Sequence, residues 1–152
     1  MSPLRRKPES AGDRRILFPF LGSVLSERSL DATIRLARAQ EAMLIPAYLA
    51  VIPKELSIEA PLGVECEGAL ALLELIEQRA TKAGVEVDSR IERGRTARHA
   101  LADVIENERF DSIVLPARTS SSDGFTPADV AWALETAPGE VLVLRPGREP
   151  AR

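Results

Sequence analysis

The stretch that most constrains this chain is Arg15-Ile16-Leu17-Phe18-Pro19-Phe20-Leu21-Gly22-Ser23, an apolar run that stops abruptly at a Gly-Ser pair. A run of this length with no polar face fits a β-strand covered on both sides, as in a parallel sheet sandwiched between helices. In such sheets ligands sit beyond the carboxyl ends of the strands. Gly22 and Ser23 therefore mark where function is to be sought.

The remaining segments repeat one spacing. Ser26 is placed to cap a helix over 27–40, in which Leu30, Ile34 and Ala37 recur at helical intervals and Asp31 and Arg35 can pair four residues apart on the outer face. A second apolar run, Met43 to Ile52, reads as a buried strand. Its Pro46 has no N–H for a ladder and is expected at the strand start or at a bulge. Residues 53–67 read as a loop, and 68–83 as a helix that turns Leu72, Ile76 and Ala80 inward and closes at Gly84. Val85 to Ile91 alternates apolar and charged residues, the period of a strand with one wet face. A helix over 97–108 should bury Ala97, Leu101, Val104 and Ile105, and Ser112 to Pro116 forms the fourth strand.

After the polar loop Arg118-Thr119-Ser120-Ser121-Ser122-Asp123-Gly124, the sequence Thr126-Pro127-Ala128-Asp129 is a strong helix start: a hydroxyl cap, proline in the first turn and an acid three residues on. That helix should end near Thr136, before a fifth strand from Glu140 to Leu144. Five strand–helix alternations imply a mostly parallel α/β sheet with helices on both faces. Right-handed crossovers then favour the order 3-2-1-4-5. Strand five would be an edge, yet Val141, Leu142, Val143 and Leu144 are all apolar, and a bare edge of this kind invites pairing. A homodimer through strand five is expected.

Composition narrows the class of function. At 152 residues the chain suits one domain with a single core. Residues 14–147 are expected to form it, between a disordered basic tail over 1–13 and a short tail over 148–152. No segment approaches the roughly 20 uninterrupted apolar residues of a membrane span. The basic start lacks the apolar centre of a signal peptide, so a cytoplasmic location without membrane insertion is expected. One cysteine, Cys66, and one histidine, His99, leave no internal disulfide and no ligand set for a metal. The first fifteen residues are net basic and the remainder is at −6, a balance that disfavours nucleic acid.

Two stretches carry a family resemblance. Residues 16–23 resemble the opening of the universal stress proteins, Ile-Leu-Val-Pro-Val-Asp-Gly-Ser, and Ala137-Pro138-Gly139-Glu140-Val141-Leu142-Val143-Leu144-Arg145-Pro146 resembles their ending, Ala-Pro-Cys-Pro-Val-Leu-Val-Val-Arg-Pro. Gly94 before a helix, and Phe110-Asp111-Ser112-Ile113-Val114-Leu115, are similar to the family's third-strand exit and fourth strand. The resemblance spans 14–147. It implies a Rossmann-like three-layer α/β sandwich, order 3-2-1-4-5, dimeric through strand five.

The departures matter for chemistry. Nucleotide-binding members end strand one in an aspartate, where this chain has Leu21, and follow strand four with Gly-x2-Gly-x9-Gly-(Ser/Thr), whose backbone N–H groups approach phosphates. Here Thr119 and Ser122 replace the first two glycines, the loop is shorter, and Pro127-Ala128 falls where Gly-Ser should be. The expectation is a regulatory or interaction module with no ATP, no other cofactor and no catalytic residue, acting on an unidentified protein partner. The alternative is an ATP- or AMP-binding protein, or a slow ATP hydrolase, with a rebuilt phosphate loop. Its weak candidate contacts are Pro19, Gly22, Ser23, Arg118, Thr119, Ser120, Ser121 and Ser122. His99 and Asp103 share a helix face without a nucleophile, Cys66 precedes a helix start, and Phe125 and Trp132 read as core or interface anchors.

Overall fold

A computed structural model describes residues 14–120 and 123–147. Its elements are β1 (Arg15–Phe20), α1 (Glu27–Ala39), β2 (Met43–Val51), α2 (Glu67–Lys82), β3 (Arg90–Gly94), α3 (Ala97–Asn107), β4 (Ser112–Pro116), α4 (Pro127–Thr136) and β5 (Glu140–Leu144), with one 3-10 turn at Val64–Cys66. The strands form one sheet in the order β3-β2-β1-β4-β5, every pairing parallel. The expected topology is what forms.

Alternation along each strand divides the core into two halves. Ile16, Phe18 and Phe20 of β1 point to the face covered by α1 and α2, where they meet Leu30, Ile34, Leu73 and Ile76. Leu17 points the other way, with Ile45, Leu49 and Leu115, against Leu101, Val104 and Ala133 of α3 and α4. β1 is buried on both sides because it lies mid-sheet with a helical layer on each face. On the first face Phe20 stacks on Tyr48, ring centroids 5.8 Å apart.

The helix signals act locally, as capping chemistry predicts. Ser26 Oγ accepts from Ser29 N, Thr96 caps α3 through His99 N, and Thr126 and Asp129 form a reciprocal capping box on α4. In α2 the inward position is Leu73 with Ala69, Ile76 and Ala80, while Leu72 is only partly covered. In α3 Ala100 is buried in place of Ala97, and Ile105 is half-buried. Asp31 lies 3.7 Å from Arg79 of α2, so its reach is across helices.

Strand three departs from expectation. It begins at Arg90, with only an isolated bridge between Leu44 and Val87 before it. The cause is Pro46, which sits inside β2 opposite Phe18 and not at its start. Leu44 N donates to Glu86 O and Asp88 N donates to Leu44 O, and pairing resumes at Ala47 with Arg90. Backbone groups alternate sides along a strand, so the N–H that proline lacks belongs to the β3 side. The ladder lapses there, without a change of register.

The amino end of the sheet is locked by ion pairs. Glu108 receives Arg90 at 2.7 and 2.8 Å and Arg15 at 2.5 Å, tying β1, β3 and the end of α3 together. The bonds from Arg90, reinforced by Arg15, hold the Glu108 carboxyl below its ordinary range despite partial burial. Arg15 N donates to Asp111 Oδ2 at 2.8 Å, and Ser112 Oγ bridges to Glu140 of β5. Loops are free to specialise at the opposite end.

Candidate functional site

At that opposite, carboxyl end the strand order reverses between β1 and β4, since β1 leads to β2 on one side while β4 comes from α3 on the other. The turn after β1 and the loop after β4 therefore face each other across the place where this topology opens a crevice. Their backbones determine what is left of it.

The loop after β4 is closed tightly. Ala117 and Phe125 form a parallel bridge, Phe125 N donates to Pro116 O at 3.0 Å, and Arg118 N donates to Phe125 O at 3.0 Å. Phe125 is 2% exposed and belongs to the core half under α3 and α4. Closure requires Gly124, because a Cβ there would lie 2.5 Å from Arg118 N and 2.7 Å from Ala117 C, both backbone atoms. The closed loop delivers Asp123 onto the β1 turn. Asp123 N donates to Val24 O at 3.1 Å, and its carboxylate covers Gly22 so closely that a Cβ on that glycine would lie 2.6 Å from Asp123 Cγ.

The other flank of the turn is filled as well. Ser23 packs on the first turn of α2, where a Cβ on Gly68 would lie 2.6 Å from Ser23 Cβ. Leu21 packs into the α3–α4 half of the core. Arg95 Nη1 donates to Pro53 O at 2.5 Å and Leu56 O at 2.8 Å, drawing the loop after β2 toward the start of α3.

The start of α4 is satisfied from within. Asp129 N donates to Thr126 Oγ1 at 3.1 Å and Val130 N to Thr126 O at 2.9 Å, while Pro127 brings no donor. Asp129 also accepts from Arg98 of α3 at 2.9 Å. Burial pushes the Asp129 carboxyl up, but the bonds from Arg98 and Thr126 outweigh it and hold the group below its ordinary value. A charged carboxylate thus sits at the positive end of α4, where an incoming anion would otherwise gain most.

The sequence candidates separate accordingly. Pro19 is buried inside β1, opposite Ala47. Gly22 and Ser23 lie at the turn, but their contacts are Asp123 and Gly68. Arg118 and Ser120 are exposed and Thr119 is half-buried, and Ser121 and Ser122 fall outside the described residues. The residues missed are Asp123, Gly68 and Asp129 in its electrostatic role. The Asp-Gly pair at 123–124 was visible as turn chemistry, but nothing local says that its carboxylate lands on Gly22. Elsewhere His99 is exposed, Cys66 is half-buried at the start of α2, and Trp132 packs partly against the core. Among the described residues no group of His, Cys, Asp and Glu could hold a metal ion, and no helix is long and apolar enough to cross a membrane.

The sequence profile described as "Universal stress protein family" matches residues 13–145. No curated protein is significantly similar to the chain. Among solved structures, the universal stress protein UspA from Lactobacillus plantarum superposes with a TM-score of 0.63 at 17% identity, covering 89% of this chain and 99% of that one. A universal stress protein family member from Arabidopsis thaliana with AMP bound gives 0.63 at 13% identity, covering 88% and 92%. A universal stress protein in complex with cAMP gives 0.60 at 21% identity, covering 88% and 98%. At these identities the likeness is one of fold.

Proposed function

The chain belongs to the universal stress protein family, and from that premise we propose that it is a member working through protein contacts, as a homodimer, with no adenine nucleotide in the crevice. The observation that carries this reading is the Asp123 carboxylate seated over Gly22. A phosphate at about 4 Å from that carboxylate would meet a repulsion of about 1 kcal/mol in full water and about 4 kcal/mol in a half-shielded cleft. Asp129 adds a second negative group at the start of α4, and Leu21 offers an incoming adenosine no acceptor.

A second reading has its own support. Fold relatives are described with AMP and with cAMP, and Arg118, Thr119 and Ser120 offer a cation and hydroxyls beside the closed loop. Titrating the full chain with ATP, AMP and cAMP decides between them, by calorimetry and by thermal shift. A ligand present at 100 times its Kd would stabilise the fold by about 2.7 kcal/mol, a rise of about 5–11 °C for a domain of this size. The expected result is no saturable heat and no such rise. Micromolar binding of any of the three would overturn the reading.

The dimer rests on β5. This edge strand leaves Val143 40% exposed, and Leu134 of the adjacent α4 is 57% exposed, on an edge with no charged residue between Glu140 and Arg145. Sedimentation at micromolar concentration should give a dimer. Val143→Glu should raise its dissociation constant at least about tenfold, with the circular dichroism spectrum unchanged. A wild-type monomer at that concentration removes this part of the proposal.

A further inference from the structure

A groove of about 400 Å³ runs between α1 and the end of β5, beside the start of the loop after β4, whose Ala117 N donates to Leu144 O at 2.9 Å, though no residue of that loop lines it. Arg28 and Arg35 of α1 line one wall, Arg145 lies across from them, and Ala32, Leu144 and Pro146 supply apolar surface between. Neither Arg28 nor Arg35 has a hydrogen-bond or ion-pair partner among the described residues, and Arg145 reaches only its own neighbour's carbonyl, Pro146 O, at 3.4 Å. The acid in the groove, Asp31, lies 3.7 Å from Arg79 on the neighbouring helix. By contrast Arg14, Arg15, Arg79, Arg90 and Arg98 are all paired with carboxylates. A chain at net −3 thus gathers in one concave site three guanidiniums that have no carboxylate bonds among the described residues.

We propose that this groove docks an extended acidic segment of a partner protein. The proposal rests on the protein-contact reading above and gives the partner its chemistry. Arg28 and Arg35 are seven residues apart on one helix face, two turns or about 10.5 Å along the axis. That spacing matches acidic side chains three residues apart in an extended segment of polyproline II form, where three residues make one turn, share a face and rise about 9.3 Å. A single phosphate is too small to span it. Guanidinium forks take carboxylates in paired hydrogen bonds, and the residues between the acids can cover Ala32, Leu144 and Pro146. A nucleic acid would bring dense charge toward a net acidic protein, whereas a short acidic segment feels chiefly the groove, since charges beyond about 8 Å are screened at physiological salt.

The test is fluorescence anisotropy on the full chain with three labelled probes. One is a peptide with glutamate at every third position and leucine and alanine between, another has glutamine in place of glutamate, and the last is oligothymidylate of matched charge. The expected result is saturable binding of the glutamate peptide alone. Its affinity should fall at least about tenfold in Arg28→Ala/Arg35→Ala and in Arg145→Glu, and hold in Arg38→Ala, which lies on α1 outside the groove. Oligothymidylate binding as tightly as the peptide, equal peptide affinity in the groove variants, or no saturation up to about 1 mM peptide would each overturn the proposal. Conversion to monomer by Arg28→Ala/Arg35→Ala with peptide binding unchanged would assign the groove to a second copy instead. Nucleotide binding or a monomeric wild type undermines the previous reading alone, so the two can fail separately.

Discussion

Phe18→Ala should remove about 3–5 kcal/mol of folding stability. Phe18 is 0% exposed on the central strand, paired through β1 with β2 on one side and flanked by β4 on the other. It fills the space beneath α1 and α2. The strands around it are held by the backbone ladder and cannot collapse into the void, so most of the lost contact stays lost. Against a total of about 5–15 kcal/mol, this is a large share, and for a domain of this size it lowers the melting temperature by about 6–20 °C. Urea unfolding followed by circular dichroism measures it. Val64→Ala, at a position 76% exposed, should change stability by less than about 0.5 kcal/mol in the same assay. Comparable losses at the two positions would contradict the assigned core.

Gly124→Val acts on the candidate site itself. The branched side chain would have to occupy space held by the Ala117 and Arg118 backbone, which cannot swing aside as a side chain can. The expected cost is about 3 kcal/mol, the upper part of the range for overpacking. The bonds between Pro116, Phe125 and Arg118 should open first, withdrawing Phe125 from the core and Asp123 from Gly22. Hydrogen exchange at the amides of Arg118, Asp123 and Phe125 should quicken more than at β1. The companion change Gly22→Ala meets the Asp123 side chain, from its carboxylate to its Cβ at 3.0 Å, where Gly124→Val meets backbone, and should cost less. Equal effects from the two substitutions would mean that the loop is not closed as described.

Much of the fold was legible because its signals are local. The reciprocal cap at Thr126 and Asp129, the cap at Ser26, the closure of α2 at Gly84 (φ 82°) and the limits of β4 and β5 all formed where the residues indicate. Each depends on a few neighbours along the chain. Strand three was misplaced because its limit is imposed from next door: Val85 to Ser89 alternate well enough for a strand, but Pro46 on β2 denies them a full ladder. The choice of Leu73 over Leu72 turned on a single step around the helix, which α2 settles by how it lies on the sheet.

Residue periodicity and turn chemistry determined the α/β class and the apolar edge, since these follow from which residues must leave water and which caps must be made, and the right-handedness of crossovers added the order 3-2-1-4-5. Only the tertiary structure decided what stands in the crevice. Whether the Asp123 carboxylate faces solvent or covers Gly22 depends on a loop closing back on β4 through backbone contacts that only Gly124 permits. The gathering of Arg28, Arg35 and Arg145 likewise needs two elements more than a hundred residues apart in sequence to be brought side by side by the sheet.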